Sequence, residues 1–369
     1  MRAGNLTSQR TDGFWLVRGK LLTPRGIVAG AVHVARGRIA GVARYAPRGA
    51  EAIDLRGAYL APGFIDLHVW GEPGAVSREA VRSGTTAFLT AIGPESPTRL
   101  RERLASRPDR QTLNGAQCLG VHLEGPFLNP RRSGVLPRCA MRPPRARELR
   151  AIIRTGGVRL MTLSPELPGA IPAIRYCRRH RIIVSLGHSD ADAMVTLRAI
   201  DAGASVVTHV FNGMRPFHHR APSLLEVALT DPRLTTMVIT DGVHVSAAAL
   251  RVLVCLKGPG RIALVTDAVR PQRAAWTLRA HGGAYYAPDG MLAGSRLTMI
   301  HAVRNAVELG GASLRDAVRM ASETPAHLLG LGRTRGTLAP GQRADLVAFD
   351  RTFRVRLTLV GGRIVFTTN

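Results

Sequence analysis

The apolar positions of this chain fall into two rhythms. From Phe14 to Leu60, short runs such as "FWLVRGKLLTP", "GAVHVARGRIAGVA" and "EAIDLRGAYL" alternate with polar residues or are broken by Gly and Pro. That is the pattern of half-buried strands joined by turns. The stretches "GTLAPGQRADLVAFD" and "FRVRLTLVGGRIVF" repeat it near the C-terminus. Neither end carries a convincing helical period. The simplest packing joins residues 1–60 and 335–369 into one small β-sandwich and leaves 61–334 as a second unit.

Inside that second unit eight apolar runs follow one another: "PGFIDLHVWG" (62–71), "TTAFLTA" (85–91), "CLGVHLEG" (118–125), "VRLMTLS" (158–164), "RIIVSLGHSD" (181–190), "SVVTHVFNG" (205–213), "TTMVITDGVH" (235–244) and "RIALVTDA" (261–268). Most of the intervals can hold a helix, as in "SREAVRSG" and "DADAMVTLRAIDAGA". Near-continuous apolar strands alternating with helices predict a parallel sheet, and eight such units predict a closed (β/α)8 barrel of the TIM type, in the α/β class.

Composition narrows the setting. The 369 residues suffice for one large α/β unit with an appendage. Hydrophobic content of 45% describes a globular chain, and no apolar run approaches the roughly 18 residues of a membrane span. The opening "MRAGNLTSQRTDG" lacks the apolar core of a signal peptide. Cys118, Cys139, Cys177 and Cys255 lie far apart without a CxxC pair, which points to core thiols in a reducing cytoplasm. Net charge is +26, but only Lys20 and Lys257 of the 51 basic residues are lysines, and arginines spread along the whole chain. The densest stretches, 142–154 and 175–181, alternate with apolar residues as solvated helix faces do, and no aromatics interleave them. No specific nucleic acid and no membrane is expected as a partner.

Polar groups change the picture most. His68, Glu124, His188, His209, His244 and Asp267 each fall at the C-terminal end of an expected strand. In a barrel those ends converge on one rim, where catalytic groups gather. Glu124 needs a buried partner, either a metal ion or a barrel arginine. Taken singly, His188 and His209 would be ordinary core histidines; together with Glu124 they form a two-imidazole, one-carboxylate set suited to a divalent ion. Asp267 is placed either to shuttle a proton or to cap the loop that follows it. His122 should point the same way as Glu124 but one layer deeper, as a support. Asn212, Gly213, Arg220 and His244 supply an amide, free backbone N–H groups, a guanidinium and an imidazole, the parts of a phosphate cradle. His218 and His219 read equally well as surface residues.

The order "PGFIDxH", "HLEGPFLN", "SLGHSDA", "THVFNGM", "DGVHV", "LVTDA", "LAGSRLTM" and "GTLAPGQRADLVAFD" resembles the N-acetylglucosamine-6-phosphate deacetylase family of the amidohydrolase superfamily, over roughly residues 14 to 366. The resemblance implies a homodimer of (β/α)8 barrels with terminal β-sandwiches, hydrolysing an N-acetyl amide of an amino-sugar phosphate. It makes Glu124, His188 and His209 the metal ligands and Asp267 the general base and then general acid. Asn212, the Gly213 backbone and His244 would hold the sugar phosphate, with Arg220 reaching in from the neighbouring subunit. Met299 falls in a loop lining the sugar and acetyl pocket.

Two departures qualify the resemblance. Family members with two metals keep His-x-His at the first strand, whereas this chain has His68 and then Trp70. The expectation is therefore one divalent ion per chain, zinc first among the transition metals. His68 becomes a spare or second-metal group, and Trp70 a wall. Leu136 stands where the family carries a substrate-contacting histidine, with Arg131 and Arg132 nearby as candidate replacements. Both changes reshape the acetyl end of the pocket and leave open a different acetamido sugar or an aminoglycoside-like substrate. A sugar-phosphate sensor without catalysis is the remaining alternative.

Overall fold

The structure, a computed structural model, describes residues 13–106, 114–269 and 278–368. Eight parallel strands follow one another in chain order around one sheet: β1 (Phe64–Val69), β2 (Thr85–Ile92), β3 (Gln117–Glu124), β4 (Val158–Leu163), β5 (Ile183–Leu186), β6 (Val206–Val207), β7 (Thr235–Ile239) and β8 (Ile262–Val265). Helices Pro73–Ala80 and Ala193–Ala202 occupy the two intervals whose sequence suggested them. Every residue of β1 and β2 is buried, as strands covered by helices outside and by barrel layers inside must be.

The barrel closes between β8 and β1 through a seam built on Asp66. Its carboxylate accepts from the backbone N–H groups of His68 (3.1 Å) and Thr266 (3.2 Å) and from the Thr266 hydroxyl (2.5 Å). Beyond it, Asp267 N–H donates to the His68 carbonyl and Trp70 N–H to the Ala268 carbonyl, both at 2.9 Å. The seam thus carries the ends of the first and last strands to adjacent places on the rim.

The two chain ends combine as expected. Tyr59–Pro62 pairs antiparallel with Leu346–Phe349, linking N-terminal strands (Phe14–Thr23, Gly26–Ala35, Arg38–Ala43, Ala52–Asp54) to C-terminal strands (Val355–Val360, Arg363–Thr367). The layers are one continuous sheet curled over its own core of Leu16, Leu21, Val32, Ile39, Leu346 and Leu359. The curl is held where Ile39 N–H donates to Gln342 O and Gly341 N–H to Ile39 O, both at 2.8 Å.

A three-stranded antiparallel meander (Arg279–His281, Ala284–Tyr286, Leu292–Ser295) follows β8, and its Ser295 bridges to Ala268 just beyond the end of that strand. Its strands are three or four residues long, too short for a periodic signal, and the sequence reading did not find it.

The arginine-rich stretches lie on helices Ala146–Thr155 and Ala170–Arg179. Leu149, Ile152, Ile174 and Cys177 face inward while Arg147, Arg150, Arg175 and Arg178 are exposed. The thiol expectation holds for Cys118 and Cys177; Cys139 and Cys255 are exposed instead. No helix among the described residues is long and apolar enough to cross a membrane.

Candidate active site

Glu124 is the last residue of β3, and His188 and His209 lie just beyond β5 and β6. His188, His209 and Asp267 have φ of 49°, 27° and 47°, conformations that non-glycine residues seldom adopt. Strain of this kind persists where surrounding structure over-determines it, commonly at functional sites. Here it also ends the strands: β6 is only two residues long, so each side chain turns off its strand on to the rim.

Glu124, His188 and His209 each offer one ligand atom, all within 4.8 Å of one another, and all three are buried. Glu124 Oε1 meets His188 Nε2 at 3.0 Å and His209 Nε2 at 2.9 Å. His188 Nδ1 is 2.7 Å from the Arg132 carbonyl, which only accepts, so Nδ1 carries the proton. A neutral His188 therefore turns a lone pair toward a carboxylate, a contact that needs either a second proton or a cation between the two. The donor set fits a divalent ion: one carboxylate and two imidazoles, one of them oriented by a carbonyl behind it.

The charges show the same demand. Burial alone would raise the Glu124 pKa, but His68, His188 and His209 hold it well below the usual carboxylate range. Burial would lower His188, yet Glu124 raises it. His68 is likewise opposed by burial and pushed up to about 10 by Glu124 and Asp267. Its Nε2 lies 3.1 Å from Asp267 Oδ1 and 3.4 Å from Glu124 Oε2, close enough to ion-pair but without hydrogen-bond geometry to either. The carboxylates thus favour positive charge at His68 and His188, the charge a bound cation would also supply.

Beneath the rim runs a buried polar chain. His68 Nδ1 lies 2.7 Å from His122 Nδ1, and His122 Nε2 lies 2.7 Å from Thr162 Oγ1. Thr162, Thr208 and Ser185 continue it through their hydroxyls. His122 sits in the deeper support position the strand alternation suggests. Burial, followed by the neighbouring His68, holds its pKa well below the ordinary value and keeps it neutral.

Among the other anticipated residues, Gly213 has φ +63°, and a β-carbon there would come 3.0 Å from His188 Nδ1. Glycine lets that turn pass beneath the His188 ring. The Asn212 amide donates weakly to carbonyls of its own turn, His209 (3.3 Å) and Val210 (3.4 Å). His244 Nδ1 pairs with Asp241 Oδ2 at 2.6 Å, and Asp241 Oδ1 accepts from the His244 N–H at 2.8 Å. Burial opposes protonation of His244, but Asp241, helped by Asp267, raises its pKa. Arg220 is exposed within the segment 216–222 and reaches no site residue of its own chain by a described contact. Met299 lies not in a loop but at the first position of helix Met299–Glu308, 1% exposed, where Leu297 and Thr298 lead the chain back into the core. It lines a small cavity with Asp66, Val69 and Thr266 behind the seam.

The two departures from the family pattern are resolved as contacts. Trp70 Nε1 donates to Asp267 Oδ1 at 2.8 Å, a bond the sequence reading missed. Alternation along β1, which puts Asp66, His68 and Trp70 on one side, was the available signal. Leu136 packs with Trp70, Leu128 and Met141. The Arg132 guanidinium is committed to Asp190 (2.6 and 2.9 Å) and Arg131 is exposed, so neither side chain replaces the missing histidine through these contacts.

A sequence profile of the amidohydrolase family matches residues 59–365. The chain is 32% identical to N-acetylglucosamine-6-phosphate deacetylase of Bacillus subtilis, over 91% of this chain and 93% of that protein. It is 36% identical to N-acetylgalactosamine-6-phosphate deacetylase of Escherichia coli O157:H7, over 83% and 87%. Among solved structures, a mutant N-acetyl-D-glucosamine-6-phosphate deacetylase of Mycobacterium smegmatis in complex with N-acetyl-D-glucosamine-6-phosphate superposes with a TM-score of 0.85 at 32% identity, covering 96% of this chain and 100% of that one. The Thermotoga maritima deacetylase gives 0.87 at 28% identity, with the same coverage.

Proposed function

The chain belongs to the amidohydrolase family, and from that premise we propose that it hydrolyses the N-acetyl amide of N-acetylglucosamine 6-phosphate to glucosamine 6-phosphate and acetate. The observation that carries the reading is the contact of Glu124 Oε1 with two imidazoles on a rim that also presents Asp267. In this reading Glu124, His188 and His209 hold one divalent ion per chain, zinc by preference for a nitrogen-rich, partly carboxylate site. Bound there, the ion would supply Lewis acidity to the acetyl carbonyl and to a water molecule.

The chain's own residues do the rest. Asp267 takes a proton from the attacking water and returns it to the nitrogen as the C–N bond breaks, so that acetate and an amine leave. His244 and the Asn212–Gly213 turn receive the phosphate; the imidazolium favoured by Asp241 suits an anion. Arg220, exposed on its segment, is assigned to a neighbouring subunit's phosphate site in a homodimer. Four widely spaced cysteines without a CxxC pair agree with a cytoplasmic setting. Residues 61–334 form the hydrolase unit, and 1–60 with 335–369 the small β-unit.

Acetate release is the test. Metal-loaded protein should turn over N-acetylglucosamine 6-phosphate, lose activity with a chelator, and contain one metal per chain by elemental analysis. No acetate from any N-acetylhexosamine 6-phosphate would sink the reading, and two metals per chain would sink the count. The N-acetylgalactosamine-6-phosphate deacetylase relative makes that epimer the second substrate to compare.

A further inference from the structure

Trp70 has no part in the roles assigned above, yet its indole reaches the carboxylate placed to move the proton. Nε1 is a donor only, and it is 2.8 Å from Asp267 Oδ1. The segments that carry the two residues are also held by backbone hydrogen bonds. Asp267 N–H donates to His68 O, Ser295 N–H donates to Asp267 O, and Trp70 N–H donates to Ala268 O, each at 2.9 Å. The indole cannot drift: it packs against Leu128, Leu136 and Met141, lies edge-on to His68 (centroids 5.7 Å apart, planes at 75°), and would meet a β-carbon at Gly93 at 3.1 Å.

An aspartate's last torsion is broad, and without a fixed donor the two oxygens exchange places easily. Proton transfer needs one oxygen held in a reactive orientation. Oδ1 is flanked by Trp70 Nε1 and His68 Nε2, while the carboxylate keeps 14% of its side-chain surface open. We infer that Trp70 is a positioning residue for Asp267: it locks Oδ1 and leaves Oδ2 to exchange the proton. An indole Nε1–H cannot ligate a metal, so this position orients the carboxylate and does not bind an ion. The inference rests on Asp267 as the proton-transfer group proposed above.

Its test combines spectroscopy and kinetics on the full, metal-loaded chain. With 15N-labelled tryptophan, the Nε1–H resonance lost in Trp70→Phe identifies Trp70. That resonance should lie downfield in the parent and move upfield in Asp267→Ala; a resonance indifferent to Asp267→Ala overturns the inference, and if Trp70→Phe does not fold the Trp70 signal is identified as the one that survives in both Trp15→Phe and Trp276→Phe. In kinetics, Trp70→Phe keeps an aromatic ring at the position and removes the donor. It should lower kcat by roughly 10- to 100-fold, the range for one hydrogen bond to a charged group, with KM within about twofold. The acid limb of the kcat/KM profile should move to higher pH, which a packing role alone would not do. If Asp267→Asn is inactive while Trp70→Phe retains the parent's kcat and pH profile, the inference fails alone. If Asp267→Asn turns over normally, the assignment of Asp267 fails first.

Discussion

Trp70 and Leu136 meet in one buried apolar cluster, and both crowd the same glycine: a β-carbon at Gly93 would lie 3.1 Å from the Trp70 ring and 3.4 Å from a Leu136 methyl. The two residues that set this sequence apart from the pattern it resembles therefore form a single packed unit. A bulky indole at the end of the first strand takes an apolar backing, and Leu136 provides it where a histidine would leave a polar ring against carbon.

Leu136→Ala removes that backing. The residue is 6% exposed, so its truncation should cost about 2–4 kcal/mol of stability, with a cavity opened behind the indole. Turnover should fall as well, and less than additively when combined with Trp70→Phe, because both changes release the same Asp267 contact. Urea unfolding and a double-mutant cycle on kcat read this directly; strict additivity would separate the two residues.

Gly213→Ala should damage metal binding more than folding. The new methyl would meet His188 Nδ1 at 3.0 Å and sit on backbone at φ +63°, a strain of about 1–2 kcal/mol before any ring movement. The His188 ring must move to make room, disturbing the Nδ1 contact that sets its tautomer. Competition with a fluorescent chelator should show weaker metal affinity; an unchanged affinity would remove Gly213 from the site's architecture.

The His244–Asp241 pair predicts a pH effect with a definite sign. His244 is raised above its ordinary value of 6.5, burial being outweighed by Asp241 and Asp267. The imidazolium, and the stability its pairing gives, is fully present below pH 6.5 and is lost as pH rises through the higher folded value. KM for N-acetylglucosamine 6-phosphate should thus stay flat through pH 6.5 and climb above it. The unphosphorylated sugar should show no such climb, and His244→Gln should abolish it. Parallel profiles for the two sugars would count against a phosphate role for His244.

Asp66 gives a second pH prediction, on stability. Burial lifts its pKa from 3.8 to about 6, against the opposing pull of its hydrogen bonds to Thr266 and His68. The folded chain therefore holds this proton where the unfolded chain has released it. Its contribution is most favourable below about pH 4 and is lost as pH rises to about 6, a change of about 3 kcal/mol. Asp66→Asn keeps the seam's shape and cannot ionise. Its stability relative to the parent should rise between pH 4 and pH 7 in denaturant titrations, and a difference that is level across that range would contradict the assignment.

The chain's own pattern determined the architecture: eight apolar runs separated by helical intervals allow few folds besides a barrel, and strand alternation set Glu124 and the histidines on its rim. Local pattern reaches only as far as neighbours in sequence. It could not show that Trp70 binds Asp267, because that contact exists only once β8 closes on β1. Nor could it show that Arg132 gives its carbonyl to His188 and its guanidinium to Asp190, since loops far apart in the chain bring those groups together. Met299 was misplaced for a related reason: helix Met299–Glu308 begins one residue after "SRLT", and packing behind the seam draws that side chain inward. Residue types and spacing determined which chemistry was available; closure of the barrel decided which donor meets which acceptor, since a hydrogen bond depends on distance and angle.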